Sequence, residues 1–267
     1  MAAVADRTHA SEPPPAAVVG AEQTQLHTRI LRLALGVEES RAYWEHVDPS
    51  VPATERAARA FEERWFGPKS VERVKLLIAN CAVRYDAYPG ALAELRAWSR
   101  MDGVTRALVC HWHLQLADPI YRRFSGEFLT SRRATPGTSD VQRDVVVRWV
   151  DRCAPGRWGT ATVIQFASKL LSAAHEAGLL GGTRDPRPLI LPRVSDVALG
   201  YCLHLLREVQ FEGSLLDNPY LASVGLGADV VEARLRTVPG VRHRRMGALH
   251  ELEWDAASLA EWAEATR

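Results

Sequence analysis

Between residues 142 and 193 the hydrophobic pattern changes period twice within one short stretch, and that change limits the folds open to the chain. From Asp140 to Asp151, Val141, Val145, Trp149 and Val150 recur at helical spacing. Ala154-Pro155-Gly156 breaks the helix. A second helix starts at Thr160 or Ala161, with Val163, Phe166, Ala167, Leu170, Leu171 and Ala174 at core positions. It closes in Glu176-Ala177-Gly178-Leu179-Leu180, where Gly178 suits a left-handed cap. Residues 181–188 are turn-forming, and Leu189-Ile190-Leu191 reads as a short apolar strand. Helix, tight turn, helix and Gly/Pro-rich hairpin is the order of a winged helix.

The flanks are more uniform. From Thr24 to about Arg133 the signal is helical throughout, which predicts a compact bundle with short connectors. Leu26, Ile30, Leu33 and Ala34 start it; Ala57, Ala58, Phe61 and Trp65 share a face; Val74, Leu77, Ile78, Cys81 and Ala82 form a further stripe behind the N-cap Ser70. Pro89 opens another helix, and Asp102 and Asp118 precede two more. Ala134-Thr135-Pro136-Gly137-Thr138-Ser139 is the clearest linker. Residues 196–211 read as one helix, 217–224 and 229–238 as shorter ones, 241–254 as a hairpin and 255–265 as a closing amphipathic helix. The expected layout is a disordered Ala/Pro-rich tail over 1–23, a helical bundle over 24–133, a winged helix over 138–194, and a C-terminal helical domain with a wing-like hairpin over 195–267. The fold class is mainly α.

Composition excludes more than it assigns. The 267 residues are 47% hydrophobic, enough for real cores, and the net charge of +1 names no partner, so any cationic surface is local. Only Lys69, Lys75 and Lys169 are lysines, so arginine counts as a signal only where it clusters. The four cysteines form no CxxC pair, against a zinc knuckle or a disulfide framework. No signal peptide and no apolar run of about 20 residues is present, which predicts a cytoplasmic protein without a membrane span.

Charge does cluster in the two-helix region. Residues 132–193 hold ten basic against five acidic side chains. A recognition helix offers its N-terminal, non-core face to a DNA groove. Here that face holds Thr160, Thr162, Gln165 and Lys169. Glutamine suits a base edge, threonine and lysine suit phosphates. The wing would add Arg184, Arg187 and Arg193. Arg242, Arg244 and Arg245 make a second candidate basic patch, or else the solvated face of a strand in an arginine-rich chain. The partner expected is double-stranded DNA; the alternatives are a protein-interaction scaffold and an RNA-binding module.

Catalytic signals are weak. Cys110-His111-Trp112-His113 spaces its histidines two apart, which on a helix points them in different directions, so they read as structural. His204 and Glu208, four apart, read as a surface contact. No phosphate-binding loop, nucleophile elbow or carboxylate set for metal-dependent cleavage is found, so no enzyme, metal or cofactor is expected.

In order and spacing, Trp158-Gly159-Thr160, Lys169-Leu170-Leu171, Glu176-Ala177-Gly178-Leu179-Leu180 and Gly247…Glu251-Leu252-Glu253-Trp254, with Phe124…Phe128-Leu129 before the linker, resemble the BrxA family. These are small components of BREX phage-defence systems. The resemblance spans about Leu26 to Trp262; the Pro-rich N-terminus lies outside it. It implies a non-enzymatic double-stranded DNA-binding accessory protein, a bundle like that of the NusB antitermination fold, winged-helix elements, and contact with other BREX proteins.

Overall fold

The computed structural model describes residues 19–246 and 249–266. The expected tail over 1–18 and the Gly247 of the resemblance lie outside them. Residues 19–23 do not belong to a tail. Strand β1 (Gly20–Ala21) runs parallel to β4 (Val209–Gln210). Val19 N donates to Glu208 O at 2.8 Å, and Gln23 N to Leu116 O at 2.8 Å. The Glu22 carboxylate accepts from the Tyr220 hydroxyl and pairs with Arg122 at 3.3 Å. Long-range backbone pairing and a largely buried ion pair order this segment, and neither has a local pattern to read.

Arg84 explains why the expected first helix is absent. The segment forms only a 3-10 turn, Arg29–Leu31. The buried Arg84 guanidinium collects the carbonyls of Leu33, Ala34 and Leu35, each at 2.6 Å. Three carbonyls turned towards one side chain cannot run along a helix ladder. Gly36 (φ 67°) then turns the chain into α1 (Val37–His46). In α2 (Ala53–Glu62) the buried face is Arg56, Ala57 and Ala60, while Phe61 is 41% exposed, against the expected Ala57/Phe61 stripe. Arg56 is pulled inward by Asp86 at 2.6 Å and by the Tyr43 hydroxyl at 2.8 Å. Helix α3 (Val71–Tyr85) starts at Ser70, whose side chain accepts from Arg73 N. Helix α4 spans Pro89–Ala97.

At the centre lies α5 (Gly103–Ala117), capped by Asp102 and buried at every position from Leu108 to Ala117. Asp118 caps the next helix, which runs as α6 (Pro119–Arg123), a π-turn (Phe124–Phe128) and α7 (Leu129–Ala134). Gly126 in the π-turn presses on Pro219 at the start of α11 (Pro219–Ser223): a Cβ there would sit 2.5 Å from Pro219 Cβ. After the linker come β2 (Asp140–Val141), α8 (Arg143–Cys153), α9 (Thr160–Glu176) and β3 (Arg187–Pro188). Then follow α10 (Asp196–Arg207), β4, α11, α12 (Ala228–Arg234), the β5 (Val241–Met246) and β6 (Leu249–Trp254) hairpin, and α13 (Leu259–Thr266). The single helix expected over 196–211 stops at Arg207 because β4 is taken up by β1. One continuous buried cluster runs from Ile30 to Ala263, so the segments share a core across the 134–139 linker. Among the described residues no helix is long and apolar enough to cross a membrane.

Candidate nucleic-acid interface

Three short extended segments close around α8 and α9. β2 pairs antiparallel with β3, Asp140 opposite Pro188 and Val141 opposite Arg187. Leu180 bridges to Leu189 on the other side. Gly181 N donates to Pro188 O at 2.8 Å and Leu189 N to Ser139 O at 2.8 Å. The strand takes Asp140–Val141 out of the expected helix, so α8 begins at Arg143 and buries Val146 and Val150, with Val145 only half-buried. Trp149 packs against the stacked rings of Phe124 and Phe128, at ring distances of 5.5 and 5.3 Å. In the turn before α9 the Trp158 ring lies 4.4 Å from Phe166, fixing the entry of that helix. Gly178 has φ 73° and ends it, as its place in the sequence requires.

The 181–187 turn is held onto α8. Arg143 N donates to the Asp185 carboxylate at 2.8 Å, and Arg187 pairs with the same group at 3.3 Å. Arg133, which sequence reasoning passed over, ties the sheet to the bundle. Its guanidinium donates to Ser223 O, Leu179 O and Ile190 O at 3.0–3.3 Å, and burial lowers its pKa to about 10. No local pattern marks it, because its partners come from two distant segments.

Of the candidate contacts, Thr160, Gln165, Lys169, Arg184 and Arg193 are exposed, and Thr162 and Arg187 are half-buried. At about 100° per residue, Thr162, Gln165 and Lys169 fall within roughly 60° of one another on α9. Thr160 lies at least about 140° away from them. The helix therefore presents one stripe of three, with Thr160 at its tip. Lys169, Arg184 and Arg193 hold no ion pair among the described residues, whereas Arg187 is spent on Asp185.

The second basic patch is different. β5 and β6 pair with Arg242 opposite Glu253 and Arg244 opposite Glu251. Arg242 lies 2.5 Å from Asp255, Arg244 2.9 Å from Glu253 and Arg245 3.3 Å from Glu232. Of the two readings, basic patch or solvated strand face, the ion pairs fit the second: a strand of exposed arginines faced by carboxylates. Glu232 of α12 precedes β5, and Glu253 of β6 and Asp255 just after it follow, all outside the run of sequence that looked uniformly basic.

The histidine cluster is structural. His111 Nδ1 lies 2.8 Å from the Tyr121 hydroxyl and Nε2 2.8 Å from Ser223 Oγ, which itself donates to Tyr220 O at 2.7 Å. His113 Nδ1 lies 3.1 Å from Arg84 O and Nε2 2.8 Å from the Tyr201 hydroxyl. Burial brings the two imidazoles down to about 3 and about 4, which keeps them neutral. His204 corrects the surface reading: it is 1% exposed, stacked on Trp262 at 5.1 Å and edge-on to Trp254 at 4.7 Å, with neither ring nitrogen hydrogen-bonded among the described residues. Glu208 serves elsewhere, accepting from Leu259 N at 2.8 Å at the start of α13. The described residues hold no group of three or more metal-type side chains, and burial raises the Cys81 and Cys110 thiols to about 12 and about 11, far from nucleophile chemistry.

No family model matches the chain, and no curated protein is significantly similar to it. Among solved structures it is similar to an uncharacterized protein from Magnetospirillum magneticum, at 15% identity and a TM-score of 0.54, over 69% of this chain and 97% of that one. The likeness is one of fold, and it agrees with a mainly helical chain carrying small strand pairs.

Proposed function

We propose that the chain is a non-enzymatic double-stranded DNA-binding accessory protein of a BREX-type phage-defence system, acting in the cytoplasm. On this reading residues 138–194 work as a winged helix, with α9 as the recognition helix and the 181–187 turn as the wing. The observation that carries the reading is the pairing of 139–141, 179–181 and 187–190 around α8 and α9, which leaves Gln165, Lys169 and Arg184 exposed, the two cations without ion pairs among the described residues. Phosphate recognition needs such uncompensated charge. Arg193 lies on the same unit; Arg187 positions the wing through Asp185. Arg242, Arg244 and Arg245 stay outside the primary interface, since DNA would have to displace their carboxylates.

A titration of a labelled mixed-sequence duplex, with duplex RNA as competitor, tests the proposal. Salt-sensitive binding that RNA displaces poorly supports it. Preference for RNA would favour the role a NusB-like bundle implies, and absence of binding at low salt would overturn it. One observation favours a second reading, a docking surface for other defence proteins: Ile190 and Leu191, next to the wing, are 42% and 51% exposed.

A further inference from the structure

The segment carrying the 3-10 turn Arg29–Leu31 lies alongside α9. Arg157 Nη2, just before α9, donates to Leu26 O at 2.9 Å. At the other end, Gly36 N donates to the Glu176 carboxylate at 3.1 Å. Residues 26–36 therefore run parallel to α9, and the 3-10 turn packs against the helix between these two ends. Arg73 of α3 adds a cross-link: its Nη1 donates to Arg32 O at 2.7 Å. Lys169 lies on the flank of α9 that also carries Glu176, within about 20° on the helical wheel.

We infer that duplex DNA is held by a cationic belt wider than the winged helix, in which Arg29 and Arg32 bind the phosphate backbone beside Lys169, with Arg157 and Arg73 supporting them. This rests on the DNA-binding reading of α9 and deepens it. Arg29, Arg32, Arg157 and Lys169 are exposed, and these four and Arg73 form no ion pair among the described residues. The contrast with the β5 arginines, each set against a carboxylate, is direct. Glu176, at the far end, accepts from Gly36 N at 3.1 Å and from Ser172 Oγ at 3.3 Å and pairs with none of the belt's cations among the described residues. A recognition helix inserted into a groove has a phosphate strand on each side. On this inference the wing with Arg184 meets one strand, and Arg29 and Arg32 meet the other.

The test compares the wild-type chain with Arg29→Ala/Arg32→Ala, Arg29→Lys/Arg32→Lys and Lys169→Ala/Arg184→Ala. Binding of one labelled duplex is followed across a salt series. Each lost phosphate contact should lower the slope of log K against log salt by about 0.9, so the Arg29/Arg32 alanine pair should lower it by about 2. At 0.1 M salt that is on the order of tenfold in affinity per contact. The lysine pair keeps the charge and should keep most of the slope. An unchanged slope in the Arg29/Arg32 alanine pair, with Lys169/Arg184 still lowering it, overturns the belt and leaves the winged-helix reading standing. A loss in the Arg29/Arg32 pair alone, with Lys169/Arg184 unchanged, overturns both the belt and the reading of α9 on which it rests. A wild-type chain that binds no duplex at low salt overturns both. Urea unfolding of each variant at the wild-type midpoint shows that the exposed substitutions leave the fold intact.

Discussion

Lowering the pH from 7 to 5 should strip this protein of much of its stability through three buried histidines. His111, His113 and His204 have an ordinary imidazole value of 6.5, and burial takes them to about 3, about 4 and about 3. The sign follows from which state takes up the proton. Below 6.5 the unfolded chain protonates these rings while the folded chain does not, so stability falls as the pH falls, until each folded value is reached. At pH 5 the cost is about 2 kcal/mol per ring, or about 6 kcal/mol for three independent rings. That is comparable to the whole stability of an ordinary domain, about 5–15 kcal/mol. Asp102 and Asp196, lowered by hydrogen bonds from Thr105 and Arg234, lose their contribution only below the usual carboxylate range of about 4, outside this window. Asp118, raised by burial, works in the opposite sense and trims the loss. Urea unfolding at pH 7, 6 and 5 measures the effect. His204→Phe keeps the stack between Trp254 and Trp262, removes two unpaired ring nitrogens, and should reduce the pH dependence by about one proton. A urea midpoint that does not move between pH 7 and pH 5, or a His204→Phe chain with the wild-type pH dependence, would refute this linkage.

Two further substitutions probe the packing that sets the interface. Gly126→Ala places a Cβ 2.5 Å from Pro219 Cβ and 2.9 Å from Pro219 O, and should cost about 1–3 kcal/mol, read as a lowered thermal midpoint. Trp158→Ala removes the ring that packs 4.4 Å from Phe166; a half-buried tryptophan there should be worth about 2 kcal/mol in urea unfolding, and DNA affinity should fall with it as the start of α9 loosens.

The sequence made legible whatever is local and periodic. Ser70, Asp102 and Asp118 cap helices as their residue types imply, Gly178 takes the left-handed cap, and α9 starts at Thr160 with the expected core. The turn between α8 and α9 and the β5–β6 hairpin are likewise where the pattern put them. What escaped depends on partners far along the chain. Arg84 unwinds 33–35 from a distance of about fifty residues, and β4 exists because residues 20–21 arrive beside it. Arg56 points inward because Asp86 and Tyr43 are there to receive it, which rotates α2 and leaves Phe61 outside. The candidate site shows the same division. Periodicity separated the buried from the exposed face of α9, but the charge of the C-terminal hairpin could be judged only once β6 lay across β5. The nearness of Arg29 and Arg32 to α9 has no trace in local sequence, since their segment sits more than a hundred residues before that helix.

The salt dependence of duplex binding by the wild-type chain, measured beside Lys169→Ala/Arg184→Ala, tests the DNA-binding proposal most directly. The expected result is a linear fall of log K with log salt, flattened by about 2 in the double variant. Binding that ignores salt, or a double variant indistinguishable from wild type, would contradict an interface built on α9 and its neighbouring turn.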